Sequence, residues 1–314
     1  MRAVFPLDSV VSLKGEPVID KSKKKQQIMP SMPSMPKSAM PKARTPDPTP
    51  APTKSFSVGT WNNNDGEKVI LYGDTGIGKT NLASMAPNAV FIGLDDGGRK
   101  LANPITGERL QYVQGVTTYA DVRSALQNYS MYDDFKTVVI DTATVLQDLA
   151  SEYVVMTIPA GKDSRAVNIH SYGYNKGFDH LYDAMKAILA DCDELVRRGK
   201  NIIIICQSLP NRISNPGGED YLREGPRLYV GKPSIEALYC EWADHIFRID
   251  YHDAFVKDKK IAGATERAIY TQPELYFRAK SRTLGDDAAV VSYNSRDNDS
   301  IWRFLFPQEY KETE

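Results

Sequence analysis

The sequence predicts an α/β fold: a mostly parallel sheet flanked by helices, with antiparallel strands added late in the chain. Three observations predict it. Short apolar runs alternate with helical stretches between residues 68 and 207. Two of those runs, "TVVID" (Thr137–Asp141) and "NIIIICQ" (Asn201–Gln207), are almost continuously apolar. Strands of that kind are covered on both faces, which means a parallel sheet between helices. Finally, "VILYGDTGIGKTNLAS" (Val69–Ser84) passes from a strand through a glycine turn into a helix.

The elements follow in order. Lys68–Tyr72 reads as the first buried strand, and Lys79–Met85 as the start of a helix stopped by Pro87. Ala89–Leu94 is the second strand, and Tyr119–Tyr129 a helix with Thr118 as its N-cap. Thr137–Asp141 is the third strand, followed by helices over Thr144–Met156 and Tyr174–Arg198, the latter ended by Gly199. Asn201–Gln207 is the fourth strand. A polar loop is expected over 208–232, then a helix near Ser234–Asp244. Closely spaced strands at Ile246–Tyr251, Ala268–Thr271 and Leu275–Ala279 read as antiparallel additions to the sheet edge.

The N-terminal region differs in composition. Ten of the 19 prolines lie in the first 52 residues, and "MPSMPSMPKSAMPK" is a short low-complexity repeat. Such a segment buries too little apolar surface to offset its ordering entropy. Residues 1–56 are therefore expected to be a disordered arm, 57–290 the folded domain, and 291–314 a C-terminal tail with no assigned role. The chain carries a formal net charge of -1, yet residues 1–55 hold ten basic side chains against four acidic ones. That arm suits either solubility or a weak electrostatic attraction to nucleic acid.

Several classes are excluded. The three cysteines, Cys192, Cys206 and Cys240, form no C-x-x-C pair, which argues against a disulfide framework or zinc site and suits a reducing cytoplasm. No apolar stretch approaches the roughly 20 residues of a membrane span. Pro6 and Asp8 break the opening "MRAVFPLDSVVSL", which is not read as an export signal. His245 reads as structural, and His170 and His180 have no metal-ligand partners at useful spacing.

The chemistry is concentrated at strand ends. "GDTGIGKT", Gly73–Thr80, matches G-x-x-x-x-G-K-[ST] in full. The backbone of Gly73, Asp74, Thr75, Gly76, Ile77 and Gly78 can wrap a phosphate, and Lys79 can reach the β- and γ-phosphates. Thr80 offers a hydroxyl to Mg²⁺, and Asn81 lies in the first turn of the helix whose dipole favours an anion. Asp141 ends an apolar strand 62 residues after Lys79, the place of a carboxylate that holds the magnesium shell of ATP. Asp95 and Asp96 end the second strand, and either could orient an attacking water or merely cap a turn. Gln207 ends the fourth strand, where it could sense a γ-phosphate or simply meet solvent.

The order P-loop, strand-end acid, Walker B, strand-end Gln resembles RecA and, more closely, the small RecA-like ATP-binding proteins of bacteriophages, including the single-strand annealing type. "GDTGIGKT", "VFIGLDDGG", "TVVIDTAT", "CQSLPN" and "IYTQPELYFRAKSR" carry the resemblance over about residues 66–285. It implies a RecA-like P-loop NTPase that binds ATP and Mg²⁺, hydrolyses ATP, and acts on single-stranded DNA in phage recombination or replication. It further implies a homo-oligomer, possible contact with a single-strand-binding protein, and a bacterial host cytoplasm. Asp95 stands where RecA has a catalytic Glu, and this shorter carboxylate leaves room for a nucleotide-gated loader or scaffold with negligible turnover. A P-loop small-molecule kinase is a third reading, disfavoured because the loop after Gln207 mixes acids among its bases.

The resemblance also implies DNA-binding loops at Ile158–Tyr172, with Lys162 and Arg165, and at Ser208–Lys232, with Arg212, Arg223, Arg227 and Lys232. Basic and aromatic residues together suit single strands, though Glu219, Asp220 and Glu224 dilute the second loop. Tyr172, Tyr174 and Tyr182 are expected to pack the long helix, with Tyr172 also able to stack on a base. In "FRAKSR", Lys280 and Arg282 resemble the basic element that completes a neighbour's ATP site in filaments and rings.

Overall fold

The computed structural model describes residues 57–59, 65–161, 164–252, 255–257, 260–262 and 266–313. The arm expected over 1–56 lies outside the described residues. The chain divides into Met1–Gly59 and Thr60–Glu314, and every element below belongs to the second unit.

β1 (Lys68–Gly73) leads through the glycine turn into α1 (Lys79–Ser84), followed by β2 (Ala89–Gly93), β3 (Gln111–Tyr112) and α2 (Tyr119–Gln127). Next come β4 (Thr137–Asp141), α3 (Ala143–Thr157), α4 (Lys176–Arg197), β5 (Asn201–Ile213) and β6 (Tyr221–Pro226). The chain ends with α5 (Ile235–Trp242), β7 (His245–Tyr251), β8 (Phe255–Lys257), β9 (Lys260–Ala262), β10 (Arg267–Tyr270), β11 (Val290–Ser292) and α6 (Ser300–Leu305).

The main sheet has the order β11-β10-β7-β1-β5-β4-β2-β3, with β6 paired to the outer half of β5. From β7 to β3 the pairs are parallel, whereas β10 and β11 are antiparallel. β5 thus stands between the strand that feeds the P-loop and the strand that ends in Asp141. β8 and β9 form a separate two-stranded hairpin.

The strands alternate between two cores, as a period of two requires. Ile70, Tyr72, Ile202, Ile204 and Cys206 face one layer, which α2, α3, α4 and α5 cover. Val69, Leu71, Ile203 and Ile205 face the other, which is covered by Leu82 and Ala83 of α1 and by Ile301 and Trp302 of α6. Thr118 caps α2 as expected: its hydroxyl accepts from the Asp121 N–H while the Asp121 carboxylate accepts from the Thr118 N–H. His245 is structural, buried between Ser281 (2.9 Å) and Glu67 (3.1 Å).

Five expectations are corrected. The loop expected over 208–232 holds a β-hairpin, because β5 runs on past Gln207 and pairs Ser208–Ile213 with Tyr221–Pro226. Pro210 and Gly217–Gly218 conceal it in the sequence, but proline is tolerated where a strand has one partner. Leu275–Ala279 is not a strand. Its backbone instead bridges β6 and β7 irregularly, with Glu224 N–H donating to Tyr276 O (2.7 Å) and Lys280 N–H to Ile246 O (3.0 Å). The strand at Ile246–Tyr251 pairs parallel to β1, not antiparallel. The long helix starts at Lys176, because Tyr174 and Asn175 take left-handed conformations (φ 57° and 61°) that end one turn before the next begins. Tyr174 is almost fully exposed instead of packing that helix.

The C-terminal segment has a structural role. Ile301, Trp302, Leu305 and Phe306 are buried, and Trp302 Nε1 donates to Leu82 O of α1 at 2.7 Å. Trp302→Ala should lower the unfolding free energy by about 3–5 kcal/mol, the usual cost of emptying a buried tryptophan site. Urea unfolding followed by circular dichroism measures this; an unchanged midpoint would mean that α6 does not pack on α1.

Candidate functional site

The parallel register gathers the strand-end residues at one edge. Gly73 lies opposite Gln207, Asp141 opposite Ile205, and Gly93 opposite Asp141. Ligands of open α/β sheets bind at this carboxyl edge. Here it opens into a cavity of about 380 Å³ lined by Thr75, Gly76, Gly78, Lys79, Thr80 and Asn81 of the P-loop, with Asp95, Asp141 and Gln207. A larger cavity of about 720 Å³ lies apart, between the β5–β6 hairpin and β7–β10, and contains none of these residues.

The loop takes its shape from glycine. Gly76 has φ 81° and Gly78 φ 111°, conformations that disfavour a side chain. A Cβ on Gly78 would also come within 2.8 Å of Arg267 Nη1. Lys79 is 6% exposed. Its ammonium donates to Gly73 O (3.0 Å), Asp74 O (2.8 Å) and Gln207 Oε1 (3.0 Å). Burial lowers its pKa, and the charge of Asp141 works against that shift. Thr75 Oγ1 also donates to Gln207 Oε1 (3.2 Å), so this glutamine ties the loop to β5.

Thr80 Oγ1 donates to Asp141 Oδ2 at 2.7 Å. Burial pushes the Asp141 carboxyl up to about 6, and the Thr80 hydroxyl bond partly offsets this. A divalent cation at this point would reverse the cost of holding a carboxylate out of water. The donors are hard oxygens, which fit Mg²⁺. Among the described residues no group of three or more His, Cys, Asp or Glu side chains could hold a metal. Magnesium suits such a site, since it takes one or two protein oxygens and completes its shell with phosphate and water.

The two strand-end acids are placed differently. Asp95 lines the P-loop cavity, and its carboxylate also accepts from Gly97 N–H (2.9 Å) as a turn cap. Asp96 lines an adjoining cavity of about 300 Å³ with Asp95, Arg99, Arg109 and Tyr112. Lys280 is engaged within its own chain: Nζ donates to Cys240 O (3.2 Å), Glu241 O (3.4 Å) and Ala243 O at the end of α5. Arg282 is 58% exposed at its side chain and pairs with Asp244 at 3.1 Å.

The expected DNA loops are partly described. Lys162 lies outside the described residues. Tyr172 is buried, its hydroxyl donating to Val154 O (2.9 Å) and Ile158 O (2.7 Å), so its ring is not available for base stacking. Arg165, Arg227 and Lys232 are exposed, while Arg212 pairs with Asp220 (2.9 Å) and Arg223 donates to Leu275 O (3.0 Å). Sequence reasoning missed Arg267 and Arg296, which also line the P-loop cavity. No motif marks them, because antiparallel strands near the end of the chain bring them in.

No curated protein matches the chain. Among solved structures, a KaiC-like protein from Pyrococcus horikoshii is 15% identical (TM-score 0.38), with 73% of this chain and 90% of that chain covered. The RadB recombinase is 11% identical (TM-score 0.40), covering 74% and 89%, and the flagellar accessory protein FlaH from Methanocaldococcus jannaschii is 9% identical (TM-score 0.34), covering 74% and 91%. A family profile described as an AAA domain matches residues 65–283, which include the P-loop, Asp95, Asp141 and Gln207, and the chain belongs to that AAA domain family.

Proposed function

We propose that this protein binds Mg²⁺-ATP, hydrolyses it, and uses the γ-phosphate to control contact with single-stranded DNA. The observation that carries the reading is one cavity holding Lys79, the Thr80–Asp141 pair, Asp95 and Gln207. Lys79 would hold the β- and γ-phosphates, and Thr80 and Asp141 the magnesium, which when bound neutralises charge on the phosphate oxygens. Asp95 would orient the attacking water and accept its proton as ADP leaves. Gln207 would release the bond that its Oε1 accepts from Lys79 and donate from Nε2 to the γ-phosphate. Because β5 continues from Gln207 directly into the hairpin, that exchange would bias the hairpin's position.

Exposed Arg227 and Lys232 beyond this hairpin, with Arg212 on it beside Asp220, support a nucleic-acid contact. The setting would be recombination or replication of the kind served by small phage RecA-like proteins, in a bacterial host cytoplasm, with a single-strand-binding protein as a further partner. Among the described residues no helix is long and apolar enough to cross a membrane. The working form would be a homo-oligomer. Since Lys280 caps α5 in its own chain, the cation offered across an interface would be Arg282.

ATP turnover with and without single-stranded DNA tests the reading: DNA stimulation is expected, and negligible turnover in both conditions would favour a nucleotide-gated scaffold. Lys79→Ala should abolish nucleotide binding, while Asp141→Ala should lose only its magnesium-dependent part. Unchanged ATP affinity in Lys79→Ala would remove the basis of the proposal.

Asp95→Asn should cut turnover by about 10²–10⁴-fold, the range of a lost general base, while ATP stays bound in equilibrium dialysis. If Asp96→Asn alone had that effect, the water would be held from the adjoining cavity.

Arg282→Ala should bind ATP normally but lose turnover and ATP-dependent assembly together. Mixing it with Lys79→Ala protein should restore partial activity, through interfaces that pair an intact P-loop with an intact cation. Co-assembly without recovery would show that Arg282 does not act on a neighbour. Lys280→Ala should chiefly lower the melting temperature, because it strips a helix end of its cap.

A further inference from the structure

The cavity over the P-loop has a wall that the phosphate-binding residues do not supply. It is made by Arg267 and Arg296, beside Asn81. Arg267, the first residue of β10, donates from Nη1 to Ile77 O (2.8 Å) and lies over the Tyr293 ring, 4.5 Å from its centroid. The Tyr293 hydroxyl donates to Gly78 O (3.1 Å) and accepts from Asn81 Nδ2 (3.1 Å). Asn81 Nδ2 also donates to Arg296 O at 2.6 Å. The segment from Tyr293 to Arg296 is thereby tied to the first turn of α1.

A polyphosphate gripped by Lys79 at its β and γ groups would extend its α-phosphate along the cavity toward Asn81. A nucleoside on that phosphate would leave past Asn81, beside the Tyr293–Arg296 segment that Asn81 holds. The two arginines there differ. Arg267 has a hydrogen bond to the loop and an aromatic ring against its plane, which makes it a brace. Arg296 is exposed, and among the described residues its guanidinium has no ion-pair partner. A planar, weakly hydrated cation in that position is suited to lie on the π face of a heteroaromatic ring.

We propose that Arg296 is the base-contacting residue of the site. Its guanidinium stacks on the purine ring of a nucleoside triphosphate whose phosphates occupy the P-loop, and Tyr293, Asn81 and Arg267 hold the segment at the required distance. This rests on the nucleotide reading of the cavity.

The test compares a ligand that has a base with one that does not. Full-length wild type, Arg296→Ala and Arg296→Lys are titrated calorimetrically with ATP and with inorganic tripolyphosphate, both with Mg²⁺. Wild type should bind both. Arg296→Ala should weaken ATP by about five- to thirtyfold, the range of a lost cation–π stack, and change tripolyphosphate by less than about twofold. Arg296→Lys should stay close to the alanine variant, because it restores charge without the plane. Equal weakening of both ligands would make Arg296 a phosphate contact and overturn the stack. So would full recovery in Arg296→Lys, or unchanged ATP affinity in Arg296→Ala. A wild type that binds neither ligand would overturn the nucleotide reading itself.

Discussion

The in-register parallel pairing around β5 is the constraint on which the rest depends. Because β5 pairs with β1 on one side and β4 on the other, Gly73, Gln207 and Asp141 finish at one edge of the sheet. Pairing of β4 with β2 brings the Asp95 turn to the same edge. A slip of one residue in β5 would turn Ile202, Ile204 and Cys206 toward the wrong core. It would also move Gln207 away from Lys79. The hydrophobic pattern that stabilises the fold therefore fixes the chemistry as well. Continuous burial makes register expensive to change.

That edge holds opposite charges at a cost. Lys79 is buried and its charge disfavoured, and Asp141 is buried with its carboxyl held well above the ordinary range. The protein meets this with backbone carbonyls of the P-loop around the ammonium and the Thr80 hydroxyl on the carboxylate. A bound polyphosphate with its metal would satisfy both groups more fully, since each would then face a full opposite charge in a site of low dielectric. Gln207 belongs to the same network and to the strand that becomes the hairpin. One side chain thus touches both the loop and the strand that becomes the hairpin.

The end of the chain braces this arrangement. Trp302 packs in the second core and bonds the carbonyl of Leu82, the Tyr310 hydroxyl bonds that of Met85, and Tyr293 and Arg267 bond those of Gly78 and Ile77. α1 is only six residues long, too short to be stable alone. Its position comes from β1 on one side and from these late contacts on the other. Fold stability and the shape of the loop share the same bonds.

Local features are legible in the amino-acid order alone. An unbroken apolar run has to be a covered strand, a glycine pattern before Lys-Thr has to be a phosphate loop, and Thr118 has to cap a helix with Asp121 three residues on. That order also marks where Asp95, Asp141 and Gln207 sit, because each lies where an apolar run stops. The hairpin beyond Gln207 was hidden, since its strands are polar, contain Pro210, and owe their pairing to each other. Lys280 resembles a cation offered to a neighbour because nothing local shows that the end of α5 lies beside it. Arg267 and Arg296 were invisible as site residues for a related reason. Their place at the P-loop is decided by the order of β7, β10 and β11 in the sheet and by the packing of α6. Strand order is a long-range property that no short window of residues encodes.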